Sequence, residues 1–295
     1  MFMLIFELLD GDGPGFLQVR NQVLEFLTVN EHKSVSLVDH FLKKDTKILY
    51  ILDQRNTIWG VISISAGGQI LHCLESDIVL PMLQEYFSVV RPAKIFSIIG
   101  EQKYTDEIAK IFLQLYGIVP KIRNEYALME YNQAVAEEVA LKEKVDSRKK
   151  AFLAGCQIFD CKESDFDALF PIQKEYEIEE VLIKKEDFNE KNCRILLRRS
   201  LQAGEVFGVR YNGRVIAKAA INAKGQNCIQ LGGIFTDTNF RNKGIATYLV
   251  KALTQRFKKE GKTIVLFVKK VNATAISVYL NCGFASFADY KILYY

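Results

Sequence analysis

The sequence predicts an α/β chain, α+β in arrangement, with two tandem copies of a mixed, mainly antiparallel sheet flanked by helices. Three observations lead there. At 295 residues the chain suits two domains of ordinary size. The order of strand and helix patterns in the first half recurs in the second, an internal duplication of structure without repetition of residues. Between them, residues 134–152 form a charged run of helix formers without Gly or Pro, which reads as a helical linker. The expected division is therefore 1–131, a linker at 132–153, and 154–295.

In the first half, Lys47 to Asp53 reads as a strand. Gln54-Arg55-Asn56 turns it into a second strand, Thr57 to Ala66, and Gly67-Gly68 turns that into a third, Gln69 to Leu74. A helix is predicted from Asp77 to Val90, a strand at Lys94 to Ile99, a helix from Thr105 to Tyr116 and a strand at Tyr126 to Tyr131.

In the second half, Phe166, Leu169, Phe170 and Ile172 fall on helical spacing within Ser164 to Tyr176, with Ser164 as the expected cap. A helix from Lys191 to Ala203 follows. Val206 to Tyr211 and Arg214 to Ala223 flank Asn212-Gly213, the strongest short hairpin signal. Cys228 to Thr236 is a third strand. Then come a helix from Gly244 to Lys259, an apolar strand from Lys262 to Lys269, a short helix from Ala273 to Asn281, and a last strand at Lys291 to Tyr294.

Composition excludes several function classes. Hydrophobic residues make up 49% and charged residues 25%, a globular balance. A net charge of +4 is too mild for a nucleic-acid footprint, and Arg148-Lys149-Lys150 reads as solvated linker charge. The N-terminal run lacks a basic flank and a small-residue cleavage site, so no signal peptide is expected. No stretch of apolar residues is long enough to span a membrane. The six cysteines form no Cys-x-x-Cys pair, and His32, His40 and His72 lie apart from any carboxylate or cysteine cluster. No metal site and no disulfide framework are expected, and a reducing cytoplasm fits.

The chemistry concentrates in two segments. At the end of the third strand, Gly232 to Thr236 leads into a polar turn, and Arg241-Asn242-Lys243-Gly244-Ile245-Ala246 opens an amphipathic helix. Small residues at Gly244 and Ala246 let the backbone approach a ligand. The first helical amides lack internal partners, so the helix start suits an anion such as a pyrophosphate, with Arg241 and Lys243 at its rim. A plain strand-to-helix turn remains the alternative for this segment alone. Neither the Walker pattern nor the dinucleotide fingerprint is present. The second segment, Asn272 to Phe284, follows the apolar strand directly. Asn272 is placed to cap the helix, Ala275, Val278 and Tyr279 share a face, and Gly283 terminates it.

The pair Arg241-x-x-Gly244-x-Ala246 and Asn272-x-x-Ala275-x-x-x-Tyr279-x-x-x-Gly283-Phe284 resembles the two core motifs of the GNAT acetyltransferase superfamily, in the right order and on the expected elements. The resemblance covers the second half. It implies that acetyl-coenzyme A is the co-substrate and that Arg241, Asn242, Lys243, Gly244, Ile245 and Ala246 bind its pyrophosphate. It also implies that Ile234, Phe235 and Thr236 pair with the pantetheine arm at a bulge, that Asn272 contacts that arm, and that Tyr279 is the catalytic acid. A phenol near the sulfur can donate to a departing thiolate; a core aromatic is the alternative for Tyr279.

The acceptor side is less defined. The strands Cys228 to Gly232 and Ile264 to Val268 carry no carboxylate to serve as base. The loop around Tyr176, Glu179 and Glu180 is the candidate acceptor pocket, since its carboxylates would attract a cationic amine; a solvated acidic helix end is the alternative. The first half lacks both motifs and is expected to be a degenerate copy that does not bind coenzyme A, a tandem arrangement the superfamily contains. The resulting expectation is transfer of an acetyl group to a primary amine, on a small molecule or peptide, by direct attack. An aminoacyl or longer-chain acyl transferase and a non-catalytic acyl-coenzyme A sensor are the other readings. Neither nucleic acid nor a membrane is expected as partner, and a homodimer stays open.

Overall fold

The computed structural model describes residues 3–8, 14–44, 46–142, 146–182 and 184–295. The first half runs β1 (Met3–Leu8), α1 (Pro14–Val29), α2 (Glu31–Lys43), β2 (Lys47–Asp53), β3 (Ile58–Ile64), β4 (Gln69–Leu74), α3 (Leu80–Val89), β5 (Ser97–Glu101), α4 (Gln102–Tyr116) and β6 (Ile122–Tyr131). After α5 (Gln133–Lys142) and α6 (Ser147–Ala154), the second half repeats that order. It consists of β7 (Cys156–Asp160), α7 (Phe166–Tyr176), α8 (Glu190–Gln202), β8 (Val206–Tyr211), β9 (Arg214–Lys224), β10 (Cys228–Thr236), α9 (Ile245–Lys259), β11 (Thr263–Lys269), α10 (Ala273–Leu280) and β12 (Phe284–Tyr294).

The duplication expected from the order of elements is thus present. The pattern assigns nothing before Lys47, and the structure adds β1, α1 and α2 there, with β7 as their counterpart's first strand. The linker is helical in two pieces, α5 and α6, with residues 143–145 outside the described residues. Ser164 does not cap α7. A 3₁₀ turn, Glu163–Asp165, precedes the helix, and the Lys162 amide donates to the Asp165 carboxylate at 2.9 Å. The Asn212-Gly213 turn does close a hairpin, with both residues at positive φ, 48° and 77°.

Among the described residues all strands join one 12-stranded sheet in the order β1-β2-β3-β4-β5-β12-β6-β11-β10-β9-β8-β7. Its centre is the unexpected part. β6 pairs with β11 and β12, and β12 pairs with β5 and β6. Each half has given its last strand to the other, so the segments 1–131 and 154–295 share one hydrogen-bonded sheet. Helices cover both faces. On one face α1 and α2 pack Val23, Leu27, Leu37 and Phe41 on β2 and β3, while α7 and α8 pack Leu169, Phe170 and Leu197 on Val206, Val215 and Phe235. On the other, α3 and α4 set Leu83, Phe87 and Phe112 on Leu49, Ile51 and Ile62, and α9 sets Leu249, Val250 and Leu253 on Val209, Ile216 and Leu231.

Two buried charges fasten the halves together. Glu31, 1% exposed at the start of α2, accepts backbone N–H bonds from Asn227 and Cys228 at 3.0 Å. Lys291 of β12 donates to Asp106 of α4 at 2.8 and 2.9 Å.

The counterpart of the phosphate turn in the first half has different chemistry. After β4 the Ser76 hydroxyl accepts from the Ile78 amide at 3.4 Å, Asp77 pairs with Lys103, and Pro81 sits in the first turn of α3. β4 and β5 pair only from Gln69↔Ser97 to Leu71↔Ile99. Where they part, the His72 ring packs against Gly100 so closely that a Cβ there would sit 2.3 Å from it. The His72 Nε2 meets the Thr105 hydroxyl at 2.8 Å.

Burial pushes His72 down to about 3, whereas an unfolded histidine titrates near ~6.5. Between those values the unfolded chain binds a proton that the native chain does not. The His72 contribution is therefore whole above ~6.5 and is lost as pH falls, by up to about 1.4 kcal/mol per pH unit. Urea midpoints taken near neutrality and near pH ~5 are expected to fall further for the parent than for His72→Gln.

Candidate functional site

The site grows from a parting of strands in the second half. β10 and β11 run parallel from Cys228↔Thr263 to Gln230↔Val265, after which β11 turns to β6 from Val265↔Glu130 onward. Leu231 to Thr236 and Leu266 to Lys269 therefore diverge and open a groove. On its other edge β10 bulges: Gly232 faces Ala220 and Phe235 faces Lys218, with Gly233 at φ 57°. Glycine is required there because the left-handed backbone disfavours a side chain.

The turn after β10 is built locally. The Asp237 carboxylate accepts from the Asn239 amide at 2.9 Å and from Arg214 at 2.5 Å. Asn242 and Gly244 then adopt positive φ, 65° and 79°. Gly244 starts α9 without any side-chain cap. The first helical bond is from the Tyr248 amide to the Gly244 carbonyl, and the amides of Gly244 to Thr247 find no protein acceptor among the described residues. Free amides at a helix start, with its positive dipole end, suit an anion.

The other residues read from the sequence fall around this groove. Ile245 and Phe235 are buried, 2% and 5% exposed, so their side chains serve the core and only their backbone faces the site. Ile234, Thr236, Lys243 and Ala246 are half-buried, and Asn242 is exposed. Lys243 stacks on Phe152 and Phe240 at 5.0 and 4.9 Å. Asn272 caps α10, its Oδ1 accepting from the Ala275 amide at 3.0 Å. Tyr279 is 8% exposed, and burial holds its phenol well above the usual tyrosine range, with Tyr176, Glu180 and Cys282 adding negative potential.

The acidic loop is a π-turn, Glu177–Val181, laid across the groove. On the β10 side Glu179 accepts from Arg241 at 2.8 Å. On the β11 side Glu180 accepts from Asn272 Nδ2 at 3.2 Å, and its carbonyl accepts from Lys269 at 2.5 Å. The structure thus brings Tyr176, Glu179, Glu180, Arg241 and Asn272 into one clasp. If an anion takes the helix start, Glu179 competes with it for Arg241. Glu179→Gln is expected to tighten coenzyme A binding about two- to fivefold, the worth of one exposed ion pair; titration calorimetry at low and high salt measures it.

Three contributors were not legible in the sequence. Lys218 of β9 is 2% exposed and donates to the Gly233 carbonyl at 2.8 Å, with its Nζ 4.2 Å from the Tyr176 ring centre. Tyr126 and Tyr294 lie on the exchanged strands, close enough to Tyr176 to raise the Tyr126 phenol together with burial. A charged residue at an inward strand position was the only sign of Lys218; nothing local signals the two tyrosines, because long-range pairing brings them here.

Residues 166–284 match the model of the acetyltransferase (GNAT) family. The likeness to that family lies within the second half of the chain. No curated protein matches the sequence. Solved structures extend the likeness of fold over the whole chain. A GNAT-family acetyltransferase from Colwellia psychrerythraea is 14% identical with a TM-score of 0.57, covering 98% of both chains. A tandem GNAT protein from the clavulanic acid biosynthesis pathway is 9% identical with a TM-score of 0.58, covering 99% of this chain and 97% of its own. A Drosophila protein is 11% identical with a TM-score of 0.59, covering 95% of this chain and 88% of its own. Among the described residues no helix is long and apolar enough to cross a membrane, and no group of three or more His, Cys, Asp or Glu residues could hold a metal ion.

Proposed function

We propose that the second half is an acetyl-coenzyme A-dependent N-acetyltransferase acting on a primary amine, and that the first half is a copy without cofactor. The observation that carries this is the row of amides from Gly244 to Thr247 at the mouth of the β10–β11 groove, which find no protein acceptor among the described residues. The residues fit the group. Free amides match a pyrophosphate, Gly244 leaves the backbone bare, and the open edge of β10 offers Ile234, Phe235 and Thr236 to an amide-bearing arm.

Coenzyme A supplies an activated acyl thioester when bound. The protein supplies the rest. Arg241 leaves Glu179 to meet phosphate. Asn272 keeps Oδ1 on α10 and turns Nδ2 from Glu180 toward the arm. Glu179 and Glu180, freed to face the acceptor, attract a cationic amine and take its first proton. The neutral nitrogen forms the new C–N bond as the C–S bond breaks. Tyr279 donates from its hydroxyl to the departing sulfur. A phenol raised above ~10 is a weaker acid than a thiol near ~8.5, so the phenol serves as a hydrogen-bond donor and relay. The second proton of the nitrogen balances the thiol.

In the first half, the Ser76 cap, Asp77 and Pro81 replace what an anion would need. Calorimetry with acetyl-coenzyme A, followed by a thiol-release assay over a panel of amines, tests the proposal. One-to-one binding with amine-dependent release supports it. Binding without release on any amine rules out the transferase, and no binding rules out the whole reading.

A further inference from the structure

The proposed reaction needs a donor for the thioester carbonyl, and the bulge of β10 is where the chain can provide one. Gly233 and Ile234 together face a single residue of β9 between the pairs Gly232↔Ala220 and Phe235↔Lys218. One of them is left outside the ladder, as in any bulge, and on the far edge the groove has replaced β11. The Gly233 carbonyl and the Ile234 N–H belong to one planar peptide unit. Pulling electron density toward that oxygen makes that N–H a stronger donor.

Lys218 is built for that task. Its ammonium lies 2.8 Å from the Gly233 oxygen and is 2% exposed. Among the described residues no carboxylate stands within ion-pair distance of it, in contrast to Lys291, which is buried against Asp106 and Glu125. The Tyr176 ring covers it at 4.2 Å, and Glu177 is the nearest acidic influence. A buried lysine without a counter-ion is costly. Serving only the packing of α7 and α8, the position would be better filled by the apolar side chains around it, such as Val206, Val215 and Phe235. Burial lowers Lys218 to about 8, so it still carries its charge at neutrality.

Resting on the proposed acyl transfer, we infer that Lys218 is a positioning residue that polarises the Gly233–Ile234 peptide, so that the Ile234 N–H grips the carbonyl oxygen of the bound thioester. The lysine touches neither substrate; it acts through the peptide. No proton or electron pair passes through it.

The test is infrared spectroscopy of acetyl-coenzyme A carrying ¹³C at the acetyl carbonyl, bound to the full chain. In the parent the band is expected below its position in water. In Lys218→Met it is expected to return toward that position, with acetyl-coenzyme A still binding and kcat in the thiol-release assay about tenfold lower at unchanged KM. Lys218→Gln keeps a donor to Gly233 without the charge and is expected to fall between. It also carries the comparison if the Met variant does not fold. A band equally shifted in the parent and both variants overturns the inference and leaves the transferase standing. A parent that does not bind the thioester overturns both.

Discussion

Tyr279→Phe is expected to lower turnover about a hundred- to ten-thousand-fold, the usual worth of a placed acid, and to leave the affinity for acetyl-coenzyme A nearly as it was. The expected split follows from where the side chain sits. Tyr279 lies on α10 with its ring packed edge-on to Phe284 at 6.1 Å, in the core shared with α9. Phenylalanine fills that space, so the helix and the Asn272 cap should stay in place. Among the described residues no protein group takes up the phenol in a hydrogen bond, so removing it orphans no partner. The loss is then confined to the step in which sulfur leaves. Steady-state thiol release with a competent amine, beside calorimetry on both proteins, measures the two effects separately. Equal turnover would remove the acid role, and equal loss of affinity would place the hydroxyl in binding instead.

The second large effect is on stability. Glu31→Ala is expected to destabilise the protein by about 2–5 kcal/mol, because the backbone amides of Asn227 and of the buried Cys228 lose their acceptor together. The site cannot relax easily. Gly225 sits so near the carboxylate that a Cβ on it would lie 1.7 Å from Oε1, and Val35 of α2 packs with Ala223, Cys228 and Val265 beside it. Glu31→Gln, which keeps one acceptor oxygen, is expected to cost less. Urea denaturation gives both values, and a change in slope as well as midpoint would show the halves parting before they unfold.

Much of the second half was legible because its signals are local. The turn from Asp237 to Gly244 and the cap, face and terminator from Asn272 to Gly283 are each complete within a dozen or so neighbours in sequence, and the structure keeps them where the pattern put them. The beginning of each half is less legible. α1 has no acidic first turn, α2 has a non-helical Ser34 inside it, and β7 is only five residues long. β12 is legible only in its last residues, since Ala285, Ser286 and Asp289 look like loop; there pairing with β6 alone holds the strand, across a bulge between Ser286 and Ala288, and β5 joins only from Tyr290 onward. Lys218 and Glu31 were hidden for one reason. A charged side chain in sequence reads as surface, and only the tertiary fold reveals that each is sealed against backbone groups far away in the chain.

The exchange of β6 and β12 bears on how such a chain can be made. During synthesis the first half emerges with β5 lacking a neighbour on one side and β6 with neither of its partners, since those are β11 and β12. The nascent sheet must stay open until β12 has emerged, and pairing so remote in sequence is slow. The centre of the sheet, ordinarily the first part to be secured, is here the last. Deleting Phe284–Tyr294 would remove the seam between the halves, not a fringe, and would leave the edges of β5 and β6 bare for association with another chain.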